Sequence, residues 1–148
     1  MLYSGRLVCL AMSYDTYLNP PKPSCEHCGR DWEYVSGPNP TYNLTAIFDL
    51  ALTGEGLPNP EVAEVAVVLL GAETDRPRGL RILSGLTGAR SITPINNALA
   101  RLANPELRDA FVALEPPNKW GTVESAVSTL SKLARMANDH PDYVWEIR

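Results

Sequence analysis

Histidine is nearly absent from this chain, with two in 148 residues, and cysteine is scarce, with three. His27 and His140 leave little imidazole for acid–base chemistry or for a histidine-rich metal centre. An odd cysteine number argues against a framework of paired disulfides and points to a reducing, cytoplasmic setting. Cations are also short: 13 Lys and Arg stand against 17 Asp and Glu, a net charge of −4. A non-specific binder of nucleic acid or of anionic membranes needs a basic face, so that class is disfavoured. The longest uncharged apolar run, Val65–Ala72, falls far short of the roughly 20 residues a membrane span needs. The stretch 1–12 has no basic segment leading into a long apolar one, so no signal peptide is expected. No Gly-x-x-x-x-Gly-Lys-Ser/Thr, Gly-x-Gly-x-x-Gly or Gly-x-Ser-x-Gly motif occurs, which removes the usual phosphate loops and the nucleophile elbow. The carboxylates do not cluster either, and an enzyme is disfavoured.

Proline, by contrast, is abundant: 13 residues, against the roughly 5% usual in globular chains. Short elements and many turns are expected. The 45% hydrophobic content and the length fit one globular domain over 1–148. Two regimes divide it. Residues 1–42 carry all three Cys and five of the six Tyr and read as strands and turns. Residues 43–148 read as helices ending in a short strand. Strands are expected over 6–12 and 31–36, with an extended Asn19–Pro23 between them.

The helical half is better specified. Leu44, Ile47, Phe48, Ala51 and Leu52 recur on one face, capped by Thr41 or Asn43 and stopped by Gly54. Asn59-Pro60-Glu61 opens a second helix, although a buried strand at 64–70 is the alternative. A short helix from Asp75 passes through Leu80 and Leu83. Thr93-Pro94 begins the next, with Ile95, Ala98, Leu99 and Leu102 inward. Asn104-Pro105-Glu106 starts another, carrying Leu107, Ala110, Phe111 and Leu114. Thr122 caps the longest, whose face is Val123, Ala126, Val127, Leu130, Leu133, Ala134 and Ala137, and His140-Pro141 ends it. The tail 143–147 alternates as a last strand and should pair with an N-terminal one. The fold expected is α+β: a mainly helical domain with a small antiparallel sheet from the N-terminal third and the C-terminal strand.

Three motifs carry chemistry. Cys25-x-x-Cys28-Gly29 is a zinc-type knuckle, for which Cys9 and a histidine would complete four ligands. A redox pair, or a plain turn bearing reduced thiols, are the other readings. Asn39-Pro40-Thr41-Tyr42-Asn43 packs two amides and a hydroxyl before a helix, and could hold a polar ligand or simply cap that helix. In Pro116-Pro117-Asn118-Lys119-Trp120-Gly121, Trp120 could stack on a ligand or partner, although such a residue more often plugs the core at a helix corner.

Taken in order, Cys25-x-x-Cys28-Gly29, the segment Asn39-x-Thr41-Tyr42-Asn43-Leu44, Leu83-x-Gly85-x-Thr87-Gly88-Ala89, Asn118-x-Trp120-Gly121 and His140-Pro141-Asp142 resemble a group of small uncharacterised proteins encoded by bacteriophages and actinobacterial genomes. The resemblance runs over about residues 25–148. It departs at Tyr42, where members often carry His, and over 54–74, which looks like an insertion. It implies an accessory protein at work in an infected cell and brings no assigned activity.

The function expected is non-enzymatic binding of a small polar ligand, a nucleotide included, or of a host protein. The expected ligand residues are Asn39, Thr41, Tyr42, Asn43, Asn118 and Trp120, drawn together near the knuckle. The alternative is a zinc-knuckle module, with Cys9, Cys25 and Cys28 as ligands, that contacts nucleic acid or the transcription machinery. Arg76, Arg78, Arg81 and Arg90 are the one basic cluster that could serve it. Oligomeric state stays open; a Pro-rich arm over 14–23 could exchange between protomers.

Overall fold

The structure, a computed structural model, describes residues 13–21, 34–54 and 77–148. The expected strand at 6–12, the cysteine knuckle and the 59–70 segment lie outside the described residues.

Two short strands, β1 (Thr16–Asn19) and β2 (Val35–Ser36), are followed by a 3-10 turn, Tyr42–Leu44, that runs into α1 (Thr45–Thr53). A second 3-10 segment, Gly79–Leu83, leads to α2 (Gly88–Ala103). The turn Pro105–Leu107 opens α3 (Arg108–Val112), and the longest helix, α4 (Val123–Asp139), precedes β3 (Val144–Ile147). The fold is α+β and mainly helical, with one three-stranded antiparallel sheet in the order β2-β1-β3. The tail strand therefore pairs with an N-terminal strand, in the register Thr16–Ile147, Tyr17–Glu146, Leu18–Trp145 and Asn19–Val144. β1 is the central strand of the chain's own sheet, so residues 14–19 of the supposed exchangeable arm are engaged within the protomer.

The five apolar positions that define α1 are all buried. Thr41 Oγ1 accepts from Asn43 N to open this element, and Gly54 closes it. Arg101 of α2 donates to the Ala51 carbonyl at 2.7 Å, a cation at the negative end of α1. Thr122 Oγ1 accepts from Ser125 N at the head of α4. The inward face of α4 also holds Thr129, a polar residue that apolar periodicity passes over.

Two starts differ from expectation. The segment expected as a helix from Asp75 is a 3-10 turn that begins only at Gly79. α2 begins at Gly88, not at Thr93, and Pro94 lies inside it. An interior proline costs a helix about 3 kcal/mol. Three acceptors offset that cost: Thr87 Oγ1 takes Arg90 N, the Tyr143 carbonyl takes Gly88 N at 2.7 Å, and the Pro141 carbonyl takes Ala89 N at 2.9 Å. Each such bond contributes about 1 kcal/mol, and burial of Ser91 and Ile95 adds to them. Gly88 is required by proximity: a Cβ there would meet the His140 carbonyl oxygen and lie 2.8 Å from that of Ala137.

The same seam continues into the sheet. Gly85 N donates to the Trp145 carbonyl and Trp145 N to the Leu86 carbonyl, both at 2.9 Å, so segment 84–89 lines the free edge of β3. Trp145, 1% exposed, donates its indole Nε1–H to Ser91 Oγ at 2.8 Å, and Ser91 donates onward to the Gly88 carbonyl. Sheet, helix α2 and the end of α4 thus share one hydrogen-bonded joint.

Ser91→Ala strands the buried indole N–H and should lower unfolding free energy by about 1–3 kcal/mol. Trp145→Phe should cost more through lost volume, and the double variant should lose less than the sum of the two. Urea melts of the three variants read the coupling; strict additivity would refute this joint.

Candidate functional site

The Asn39–Leu44 segment is a latch before it is anything else. Residues 13 and 41 form an isolated antiparallel bridge, Tyr14 N donates to the Pro40 carbonyl, and Asn39 Nδ2 donates to Asp15 Oδ1 at 2.6 Å. Thr41 is the cap described above. Two residues expected to face a ligand, Asn39 and Thr41, are thus committed to joining the chain before β1 to the start of α1.

Tyr42 belongs to an aromatic cluster. Its ring stands edge-on to Tyr14 with centroids 4.4 Å apart, and Tyr14 in turn meets Phe48 at 6.2 Å. Arg81 lies over both tyrosine rings, 5.2 Å from Tyr42 and 5.6 Å from Tyr14, and donates to the Tyr42 hydroxyl at 2.9 Å. Thr45 donates its one hydroxyl proton to the Tyr42 carbonyl, so Tyr14 must be the donor in its 2.6 Å bond to Thr45 Oγ1. Of the other expected basic residues, Arg78 pairs with Asp49 at 3.6 Å, Arg90 is exposed on the first turn of α2, and Arg76 lies outside the described residues.

The second motif forms a locked turn. Lys119 N donates to the Pro116 carbonyl, and Asn118 Oδ1 accepts from Trp120 N at 3.0 Å. Lys119 adopts φ 59°, a left-handed conformation that costs a side-chain-bearing residue about 1 kcal/mol. Glu115 accepts from Val123 N and ties the start of α4 back to the far side of the turn. Gly121, at φ 125°, is pressed so closely on α1 that a Cβ would lie 2.7 Å from Leu44 Cδ2 and 3.3 Å from Thr41 Cγ2. The two motifs therefore share one corner of the fold. Trp120 does not plug the core there: it is 60% exposed, and Trp145 fills the interior instead.

Cys9, Cys25 and Cys28, and with them the zinc reading, lie outside the described residues. Among the described residues no group of three or more His, Cys, Asp or Glu is placed to hold a metal ion. His140 ends α4 with its backbone N–H on the Met136 carbonyl and its ring 4.6 Å from that of Tyr143. No helix among the described residues is long and apolar enough to cross a membrane.

Sequence reasoning missed a cleft of about 510 Å³ on the outer face of the sheet, where Tyr17, Asn19, Tyr34, Glu146 and Arg148 meet. The alternation of the tail gave half of that face. The other half needs the β1 register, which no local pattern announces.

Burial pushes the Tyr14 hydroxyl above its ordinary value of 10.0, and Arg81 opposes the shift only in part. A phenol whose folded pKa is raised binds its proton more tightly in the native state. Its contribution to stability is fully present below the ordinary value and is lost as pH rises from there through the raised folded value. Thermal melts from about pH 9 to 11 should show wild type losing more stability than Tyr14→Phe, which has no such proton to lose. Parallel losses would show that Tyr14 is not the group responsible.

No protein-family model, no curated protein and no solved structure matches the chain, so what its corner and cleft do is read from their own geometry.

Proposed function

We propose that this chain is a non-enzymatic accessory protein of the cytoplasm that acts by binding a partner protein, and that Trp120 is the anchor. The observation that carries this reading is the 60% exposure of Trp120 on a turn fixed by Asn118, Pro116 and Gly121. A large apolar ring left in water is costly unless something covers it. Tryptophan is among the side chains most enriched at binding hot spots. The backbone of the turn is already set, so little backbone entropy is lost when a partner docks.

Between a small polar ligand and a protein, the corner favours the protein. Asn39 Nδ2, Thr41 Oγ1 and Asn118 Oδ1, which a small ligand could have used, already serve Asp15 or the backbone. What the corner offers outward is the indole, the exposed Lys119 and, on the adjoining surface, the Arg81–Tyr42 stack.

Trp120→Ala tests the assignment. The side chain makes little of the core, so the melting temperature should hold, while affinity for a partner recovered with the tagged wild-type chain should fall at least about 30-fold, the loss typical of a hot spot. Undiminished affinity in the alanine variant would remove Trp120 from the interface and this reading with it.

A further inference from the structure

The outer face of the sheet is a second place where side chains converge without a structural reason for all of them. Along β1 and β3, Thr16, Leu18, Trp145 and Ile147 point into the core, which turns Tyr17, Asn19, Val144 and Glu146 outward. Tyr17 and Glu146 are cross-strand partners, so they stand side by side. Glu146 then binds two neighbours. Its Oε2 accepts from Asn19 Nδ2 at 2.8 Å, and its Oε1 accepts two bonds from Arg148, at 2.6 and 2.8 Å. The Arg148 guanidinium in turn lies 6.0 Å from the centre of the Tyr17 ring. Tyr34 meets Tyr17 edge to face at 5.6 Å and is itself 57% exposed, and Pro21 helps form the wall. The half-open cleft, about 510 Å³, falls within the roughly 300–1,000 Å³ of small-molecule sites.

The geometry points to a carbohydrate-binding cleft, one that takes a neutral sugar ring with its C–H face on Tyr34 and its hydroxyls over the Asn19–Glu146–Arg148 row. Three features select that chemistry. Among the described residues the cleft holds one acid and one base, bonded to each other, so a charged ligand finds no opposite charge left unpaired. The row is made of planar groups that keep spare lone pairs on the carboxylate and spare N–H donors on the guanidinium. A hydroxyl is both donor and acceptor, so a polyol can replace water at both ends of the pair at once. A proline-rich peptide suits tyrosine-lined grooves too, but offers only carbonyl acceptors. It would cover the carboxylate without a donor and carry the cost of drying an ion pair. Tyr34, standing edge to face on Tyr17, supplies the flat apolar surface that a sugar's C–H face packs against.

The full-length ¹⁵N-labelled protein can be titrated with neutral mono- and disaccharides of glucose, galactose, mannose and N-acetylglucosamine, with glucuronate and a decaproline peptide alongside. The expected result is saturable amide shifts at residues 17, 19, 34 and 146 for at least one neutral sugar. Tyr34→Ala, which removes an exposed ring and should leave the fold intact, is expected to weaken that sugar about 10-fold, as the loss of an aromatic packing face would. Glu146→Gln should weaken it while the spectrum stays native. Saturation by glucuronate or by decaproline with no neutral sugar bound would overturn the assignment. So would an absence of saturable shifts, or sugar binding that Tyr34→Ala leaves unchanged.

Discussion

A buried indole hydrogen bond holds the architecture together. Trp145 sits on the last strand, Ser91 one turn into α2, and the bond between them lies where sheet and helices meet. Around it, segment 84–89 and segment 141–147 exchange backbone hydrogen bonds. Those bonds satisfy both the first donors of α2 and the otherwise open edge of β3. An orphaned buried donor costs more than a made bond returns, so this joint constrains the remainder. α2 must start where the carbonyls of the 141–143 turn can reach it, and Gly88 must stay small enough to let the end of α4 approach. The interior of the sheet then follows, with Leu18 packed beside Trp145 and both against the helices.

The same joint accounts for two of the motif blocks that stand out in the sequence. Leu83–Ala89 and His140–Asp142 are far apart along the chain, yet they are two sides of one seam. Their glycines, Thr87 and Pro141 are there for geometry. The Asn39–Leu44 and Asn118–Gly121 blocks form a second such pairing, with Gly121 against Leu44 and Thr41. A polar motif in a sequence is thus read more safely first as a joint and only then as a ligand site. Once the joints are assigned, what is left facing outward is aromatic: Trp120 at one corner and Tyr34 on the sheet.

Helical elements were legible because their signals are local. The α1 face, the Gly54 stop, the Thr122 cap and the Asn104 cap all follow from residues within a turn or two. The start of α2 was not: Gly88 N and Ala89 N are satisfied by carbonyls far along the chain, at Tyr143 and Pro141, and Thr93-Pro94 imitates a start signal more plainly than the local cap at Thr87. Strand β1 was missed for a related reason: Thr16–Asn19 runs straight into Pro20, and only pairing with β3 makes it a strand. Trp120 illustrates the limit for function. A tryptophan in a Pro-Asn-Gly turn has the same sequence whether it points in or out, and the choice rests on whether another tryptophan already fills the core. The sheet cleft was illegible for the same cause as β1, since Tyr17 and Glu146 become neighbours only through register.

The order of strands also bears on how the chain acquires its shape. The pair that completes the sheet joins residues 16–19 to 144–147, with Asn19 bonded to a residue 127 positions further on. During synthesis the N-terminal part emerges first. Strand β1 therefore leaves the ribosome with one edge vacant, and that edge stays vacant until residues 144–147 have followed. Helical hairpins with local contacts form quickly, whereas a closure of this span waits on a costly loop. The sheet is in that sense zipped shut by residues 144–147, and the cleft between Tyr17 and Glu146 comes into being only when they pair.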